Sequence, residues 1–223
     1  MTISMVAISH IIQPSLMQLQ PRVFINFRGE DIRYGFISHL VAAFEVHGIY
    51  FFIDKYEQRG NDLTYLFKRI EESKIVLAIF SGKYAQPKWC LNELATVKKL
   101  AEENKLKVIP IFYKVKVGDV RHQKGEFGRN FWNLARISSG EEIKQWKEAL
   151  EFVSHKMGLE LCENRSEADF VKEIIEELKR VRSRIPLEER KDHIPDLSSR
   201  KRGHLMSGPC ELPYCESSKT RNV

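Results

Sequence analysis

An α/β domain with a parallel sheet covered on both faces is what this sequence predicts, and three observations predict it. Strand-like and helix-like patterns alternate from Pro21 to about Arg184. The strand-like runs are almost continuously apolar, above all Ile75-Val76-Leu77-Ala78-Ile79-Phe80, as in strands buried on both sides. Of the 223 residues 43% are hydrophobic, with 13 Phe, enough to fill such a core.

The elements follow in order. Val23 to Phe27 reads as the first strand and ends in the turn Arg28-Gly29-Glu30-Asp31. A helix with Phe36, Leu40, Val41 and Phe44 on one stripe is closed by Gly48. Ile49 to Ile53 is the second strand, and a loop from Asp54 to Asp62 leads to a helix over Leu63 to Glu72. Ile75 to Phe80 is the third strand. Ser81 to Lys88 joins it to a helix reaching about Asn104, whose stripe runs through Leu91, Leu94, Val97 and Ala101. Lys107 to Tyr113 is the fourth strand. A long irregular loop with Gly118, Gly125 and Gly128 follows it, then helices from Phe127 and from Glu141. Gly158 to Leu161 reads as a short edge strand. The last helix opens at Ser166-Glu167-Ala168-Asp169, a capping-box pattern, with Phe170, Ile174, Ile175, Leu178 and Val181 on its stripe. Five strands in this alternation favour the flavodoxin-like order 2-1-3-4-5 with helices on both faces. Residues 1–20, mildly apolar and free of Lys and Arg, read as a flexible leader and not as a signal peptide. Residues 185–223 carry Pro186, Pro195, Pro209 and Pro213 among Ser and charges and read as a disordered tail.

Composition narrows the chemistry. No apolar run approaches the roughly 20 residues of a membrane span. The balance of 36 Lys and Arg against 30 Asp and Glu gives +6, spread without aromatic interleaving, so nucleic acid is not an expected partner. Cys90, Cys162, Cys210 and Cys215 are scattered, which points to a reducing compartment: the cytoplasm, with the nucleus as the alternative. Cys210 and Cys215 beside His204 match no standard zinc spacing, so no metal is expected. A phosphoacceptor receiver would end its third strand in Asp, whereas this strand ends Phe80-Ser81. No Gly-Lys-Ser or Gly-Lys-Thr closes a phosphate loop. Cys90 has no sequence-adjacent histidine to make it a nucleophile and reads as structural.

In doubly wound sheets ligands bind at the carboxyl ends of the strands, at the switch point between strands 1 and 3. The loops placed there are Arg28 to Asp31 and Ser81 to Trp89, and Glu93 follows the second. Trp89 and Glu93 stand four apart and share a helical face, with Glu93 on the border of the apolar stripe in what reads as the helix's first turn. An acid there complements the helix dipole. An acid beside an indole at a pocket edge can also hold a flat cationic ligand, and the switch-point position favours this second role.

Several segments carry a resemblance. They are Phe24 to Arg33 (Phe-Ile-Asn-Phe-Arg-Gly-Glu-Asp-Ile-Arg), Ser38-His39-Leu40, Phe52-Ile53-Asp54, Arg59-Gly60, Ile70 to Ser73, Lys88 to Leu94, Val108 to Tyr113, Asp119-Val120-Arg121 and the helix over Glu173 to Leu178. Together they resemble the TIR (Toll/interleukin-1 receptor) domains of plant immune receptors over about residues 20–183, giving a domain at 21–184. The resemblance implies NAD⁺ hydrolysis with Glu93 as the catalytic acid, NAD⁺ being a substrate and no cofactor being needed. It implies a substrate pocket shaped by Trp89, with Phe27, Arg28 and Gly29 on the facing loop. Arg28 reaches a phosphate or makes only a capping contact, and Asp54 borders the pocket or forms a turn. It also implies self-association through Ser38 and His39 and through the loop holding Gly60, with copies of this chain or other TIR domains. Nucleotide-binding and leucine-rich-repeat modules are absent, so the sequence reads as a TIR-only protein signalling in plant defence, with a non-catalytic TIR–TIR adaptor as the alternative. The chain departs from the family at Lys114, Lys116, Val117 and Gly118, where acidic residues, a proline and a serine are usual, at Ile32 for threonine and at Asn92 for aspartate.

Overall fold

The structure, a computed structural model, describes residues 21–53, 63–161 and 165–186. The expected leader, nearly all of the expected tail, and Asp54 and Gly60 lie outside the described residues, as do Cys162, His204, Cys210 and Cys215.

Five parallel strands form one sheet in the order 2-1-3-4-5. They are β1 (Val23–Phe27), β2 (Phe51–Phe52), β3 (Ile75–Phe80), β4 (Lys107–Tyr113) and β5 (Leu159–Leu161). The central strand, β3, is buried at every residue and pairs with β1 through Val23↔Ile75 to Phe27↔Ile79 and with β4 through Ile75↔Lys107 to Phe80↔Phe112. Burying each such Ile, Leu or Phe contributes about 1.5–3 kcal/mol, which is why this run reads without alternation.

The helices are α1 (Gly29–Ile32), α2 (Ser38–Val46), α3 (Leu63–Glu71), α4 (Lys88–Glu102), α5 (Val117–Arg121), α6 (Gly125–Ala135), α7 (Gly140–Ser154) and α8 (Glu167–Ser183). They cover both faces. Phe24, Val76, Ala78, Phe80, Val108 and Phe112 face a layer built from α3, α4, α6 and α7. Val23, Ile25, Phe27, Leu77, Ile79 and Ile111 face α2 and α8. Ile185 is packed into this second layer, one residue past the expected domain boundary.

Four local expectations are corrected. The turn at Arg28 to Asp31 is instead the start of a helix, which passes through a π-helical segment, Arg33–Ile37, broken at Gly35 (φ −108°, ψ −106°) before α2 begins. Among the described residues the second strand, at the edge of the sheet, pairs over Phe51–Phe52 and not over the whole of Ile49 to Ile53. The loop after β4 contains the short helix α5. Ser166 caps α8 by position alone and makes no side-chain cap bond; Asp169 pairs with Lys172 at 2.9 Å instead. Gly48 does end α2. At φ +59° it donates to Glu45 while Ile49 donates to Phe44, the paired bonds of a Schellman cap.

Candidate functional site

β1 and β3 end side by side, and the turn over residues 81–87 carries the chain from β3 into α4. Pro87 is the N-cap, so Lys88, Trp89 and Cys90 already lie inside the helix. Glu93 therefore sits in the second turn and not in the first. The dipole acts mainly within the first turn, which removes it as the reason for an acid here.

Glu93 is 7% exposed, more buried than its position on the stripe border implied. A buried carboxylate needs donors. One is the side-chain amide of Asn26, whose Nδ2 donates to Glu93 Oε2 at 2.7 Å. Strand alternation puts Asn26 on the α4 side of the sheet with Phe24, and Val23, Ile25 and Phe27 on the other. Tyr84, fully buried in the turn before α4, donates its hydroxyl to Asn26 Oδ1 and lies 3.0 Å from the Cys90 carbonyl oxygen. Burial pushes the Tyr84 phenol well above its ordinary value, with Cys90 and Glu93 adding to the rise and the Asn26 bond opposing it. Cys90 is itself buried, its Sγ 3.6 Å from the Phe27 carbonyl oxygen, which fits a structural thiol.

The other expected site residues take different positions. Trp89, one turn before Glu93, is 48% exposed. The Phe27 ring packs on the layer opposite Glu93, and it is its backbone carbonyl that reaches α4. Arg28 is largely covered and paired with Glu30. The guanidinium of Arg33 lies 5.3 Å from the Phe27 ring centroid and where a Cβ on Gly29 would project, so a side chain at Gly29 would displace it. Ser38 and His39 are exposed at the start of α2, with Ser38 Oγ donating to the Gly35 carbonyl at 2.7 Å. A separate cavity of about 830 Å³ at the carboxyl ends of β4 and β5 is lined by Lys114, Lys116, Asp119 and Glu126, and Glu93 is not part of its wall.

Sequence reasoning missed Asn26 and Tyr84. Asn26 had a usable signal: it is the one polar residue in an otherwise apolar five-residue strand. Tyr84, in an irregular turn, had none.

Fold and site together define a doubly wound α/β domain with a buried acid beside its switch point. The chain belongs to the TIR domain family, whose model matches residues 22–200. It is 55% identical over 173 residues to the disease resistance protein RBA1 of Arabidopsis thaliana, a match covering 78% of this chain and 48% of that one. It is 47% identical over 169 residues to the disease resistance protein RPS4 of the same plant, covering 76% and 14%. The chain thus spans about half the length of the first relative and far less of the second. Among solved structures it resembles the TIR domains of the activated Roq1 resistosome, with a TM-score of 0.66, 34% identity and coverage of 71% of this chain and 99% of that one. Among the described residues, no helix is long and apolar enough to cross a membrane.

Proposed function

We propose that this chain hydrolyses NAD⁺ at the nicotinamide–ribose bond, with Glu93 as the catalytic acid residue acting in its ionised form. The observation that carries the reading is a mostly buried carboxylate beside the switch point with an amide N–H aimed at it, a bond that favours the charged form against the opposing effect of burial. Nicotinamide leaves as a neutral base from a cationic substrate, so no group need protonate it. Ordinary glycosidases need a second carboxyl for that step. As the bond breaks, its electron pair goes to the ring nitrogen and positive charge develops on the ribose. Glu93 stabilises that charge and can hold the ribose hydroxyls. Water then adds to the anomeric carbon and loses a proton, giving ADP-ribose; capture by an internal nucleophile in place of water gives a cyclic product. Activity in the cytoplasm, switched on by self-association through Ser38, His39 and the Gly60 loop, would connect this chemistry to the disease-resistance role named for its relatives.

The test is nicotinamide release by the purified chain across a protein concentration series, with Glu93→Gln alongside. The rate per chain should rise with concentration, and Glu93→Gln should lose about a hundredfold or more of it while melting normally. Equal turnover by the variant overturns the assignment. The burial of Glu93 favours a second reading, a non-catalytic adaptor that docks with other TIR domains. A chain that assembles by light scattering yet releases no nicotinamide would decide for that reading.

A further inference from the structure

Resting on the reading of Glu93 as the reacting acid, we infer that Asn26 is its positioning residue, oriented in turn by Tyr84. Three features of the geometry carry this. First, Asn26 is completely buried one residue from the carboxyl end of β1, where a polar side chain is costly unless both its ends are satisfied. Second, both ends are satisfied, by partners brought together from distant parts of the chain: Nδ2 by Glu93 at 2.7 Å and Oδ1 by the Tyr84 hydroxyl. Third, the strand residue opposite Asn26 on β3 is Ala78, the smallest side chain of that strand, which leaves space on this face for the amide and the phenol.

The direction of the bonds matters. An amide can present either end to a neighbour, and only its N–H₂ end suits an ionised carboxylate. The phenol donates to Oδ1 and so turns the N–H₂ end toward Glu93. The chain of donation runs from Tyr84 to Asn26 to Glu93, ending on the group that must carry negative charge when the ribose becomes positive. Because Asn26 sits on the central sheet and Glu93 on α4, the same bond fixes the carboxylate's place relative to the carboxyl edge of β1. Cys90 and Glu93 both act on the buried Tyr84 phenol, so the three groups sit within electrostatic reach of one another.

The role is tested by titrating the Glu93 carboxyl by carbon NMR in the full chain, with nicotinamide kinetics in parallel, for Asn26→Ala, Asn26→Asp and Tyr84→Phe. Asn26→Asp preserves shape while replacing the donor with an acceptor that carries charge. Glu93 should bind its proton about tenfold more tightly in Asn26→Ala and more tightly still in Asn26→Asp, with Tyr84→Phe moving less in the same direction. At neutral pH, kcat should fall about tenfold or more in the Asn26 variants while KM stays within about twofold. A packing role alone would leave the Glu93 titration where it is in Asn26→Ala and Tyr84→Phe, whereas Asn26→Asp raises it by like-charge repulsion under either role. An unchanged titration in folded Asn26→Ala overturns the inference. Should the Asn26 variants not fold, an unchanged titration in Tyr84→Phe, which keeps the ring in place, overturns it equally. If the wild-type chain released no nicotinamide while the titration moved as described, the hydrolase reading would fall and the clamp on Glu93 would stand.

Discussion

Asn92 stands next to the key acid in sequence and turns away from it in space. Its Oδ1 accepts the indole N–H of Trp146 at 2.8 Å, tying α4 to α7. The exchange of the family's usual aspartate for asparagine therefore bears on the packing of α4 against α7 and not on Glu93. Asn92→Asp keeps an acceptor in the same place and should change neither nicotinamide release nor stability appreciably. Asn92→Leu strands the N–H of Trp146, a residue only 1% exposed, and should cost about 1–3 kcal/mol in urea unfolding. A Leu variant as stable as wild type would show that this bond does not matter. Ile32, the other departure near the site, is buried in the core beneath α2 and α8 and has no polar partner to lose. At this scale the sequence was legible where period alone decides. Spacing put Glu93 on the border of its helix's apolar stripe, and the strand period of two could equally have sent the Phe27 ring to the far layer and Asn26 to the near one. Reading β1 as one of several nearly continuous apolar strands hid both consequences. The Tyr84 contact depends on how an irregular turn folds, which no periodicity encodes.

Helix ends show how far pattern can mislead. Ser139 and Glu142 form a complete capping box at the start of α7, with the Ser139 side chain accepting from the Glu142 N–H at 3.3 Å and the Glu142 carboxylate accepting from the Ser139 N–H at 3.1 Å. Ser166 and Asp169 have the same spacing but no cap bond, because Lys172, three residues on, holds the carboxylate. Ser139→Ala should therefore cost about 1 kcal/mol in chemical denaturation, and Ser166→Ala much less. At α5 the N-cap is Lys116, whose side chain makes no cap bond and brings positive charge to the positive end of the helix. Lys116→Asp should stabilise the fold by about 0.5–1 kcal/mol, seen as a higher melting temperature. A lower melting temperature would mean that the lysine has partners that outweigh the cap. α5 itself escaped the sequence reading because five residues with a glycine at the second position offer too little apolar period to register.

Across the whole molecule, the strand order was legible because the apolar β-runs and helical stripes alternate strictly, and few sheet topologies accept that alternation. How the outer layer locks onto the sheet was not, since it depends on long side chains meeting across more than fifty residues of sequence. Phe36 stacks between Tyr113 at 4.6 Å and Phe170 at 5.8 Å, joining the approach to α2, the end of β4 and α8. Above this stack Glu167 Oε1 accepts from Lys114 Nζ at 2.7 Å and from the Tyr113 hydroxyl at 2.8 Å. The bond from Lys114, then that from Tyr113, hold the Glu167 carboxyl below its ordinary range against the opposing effect of burial, and His39 on α2 adds in the same direction. A carboxyl whose folded value is lowered stabilises the fold above its unfolded value, and that contribution disappears as pH falls through the folded one. Lys114 is raised, chiefly by the bond to Glu167, so the pair acts from the carboxylate range up to the lysine range. Both partners are more than a third exposed, so solvent screening limits the effect to a few tenths of a kcal/mol, about 1 at most. Glu167→Gln should accordingly be less stable than wild type by that amount in urea at neutral pH, with the gap closing below the ordinary carboxylate range. A gap that stays constant down through acid pH would assign the contribution of Glu167 to shape and hydrogen bonding, with no part for its charge.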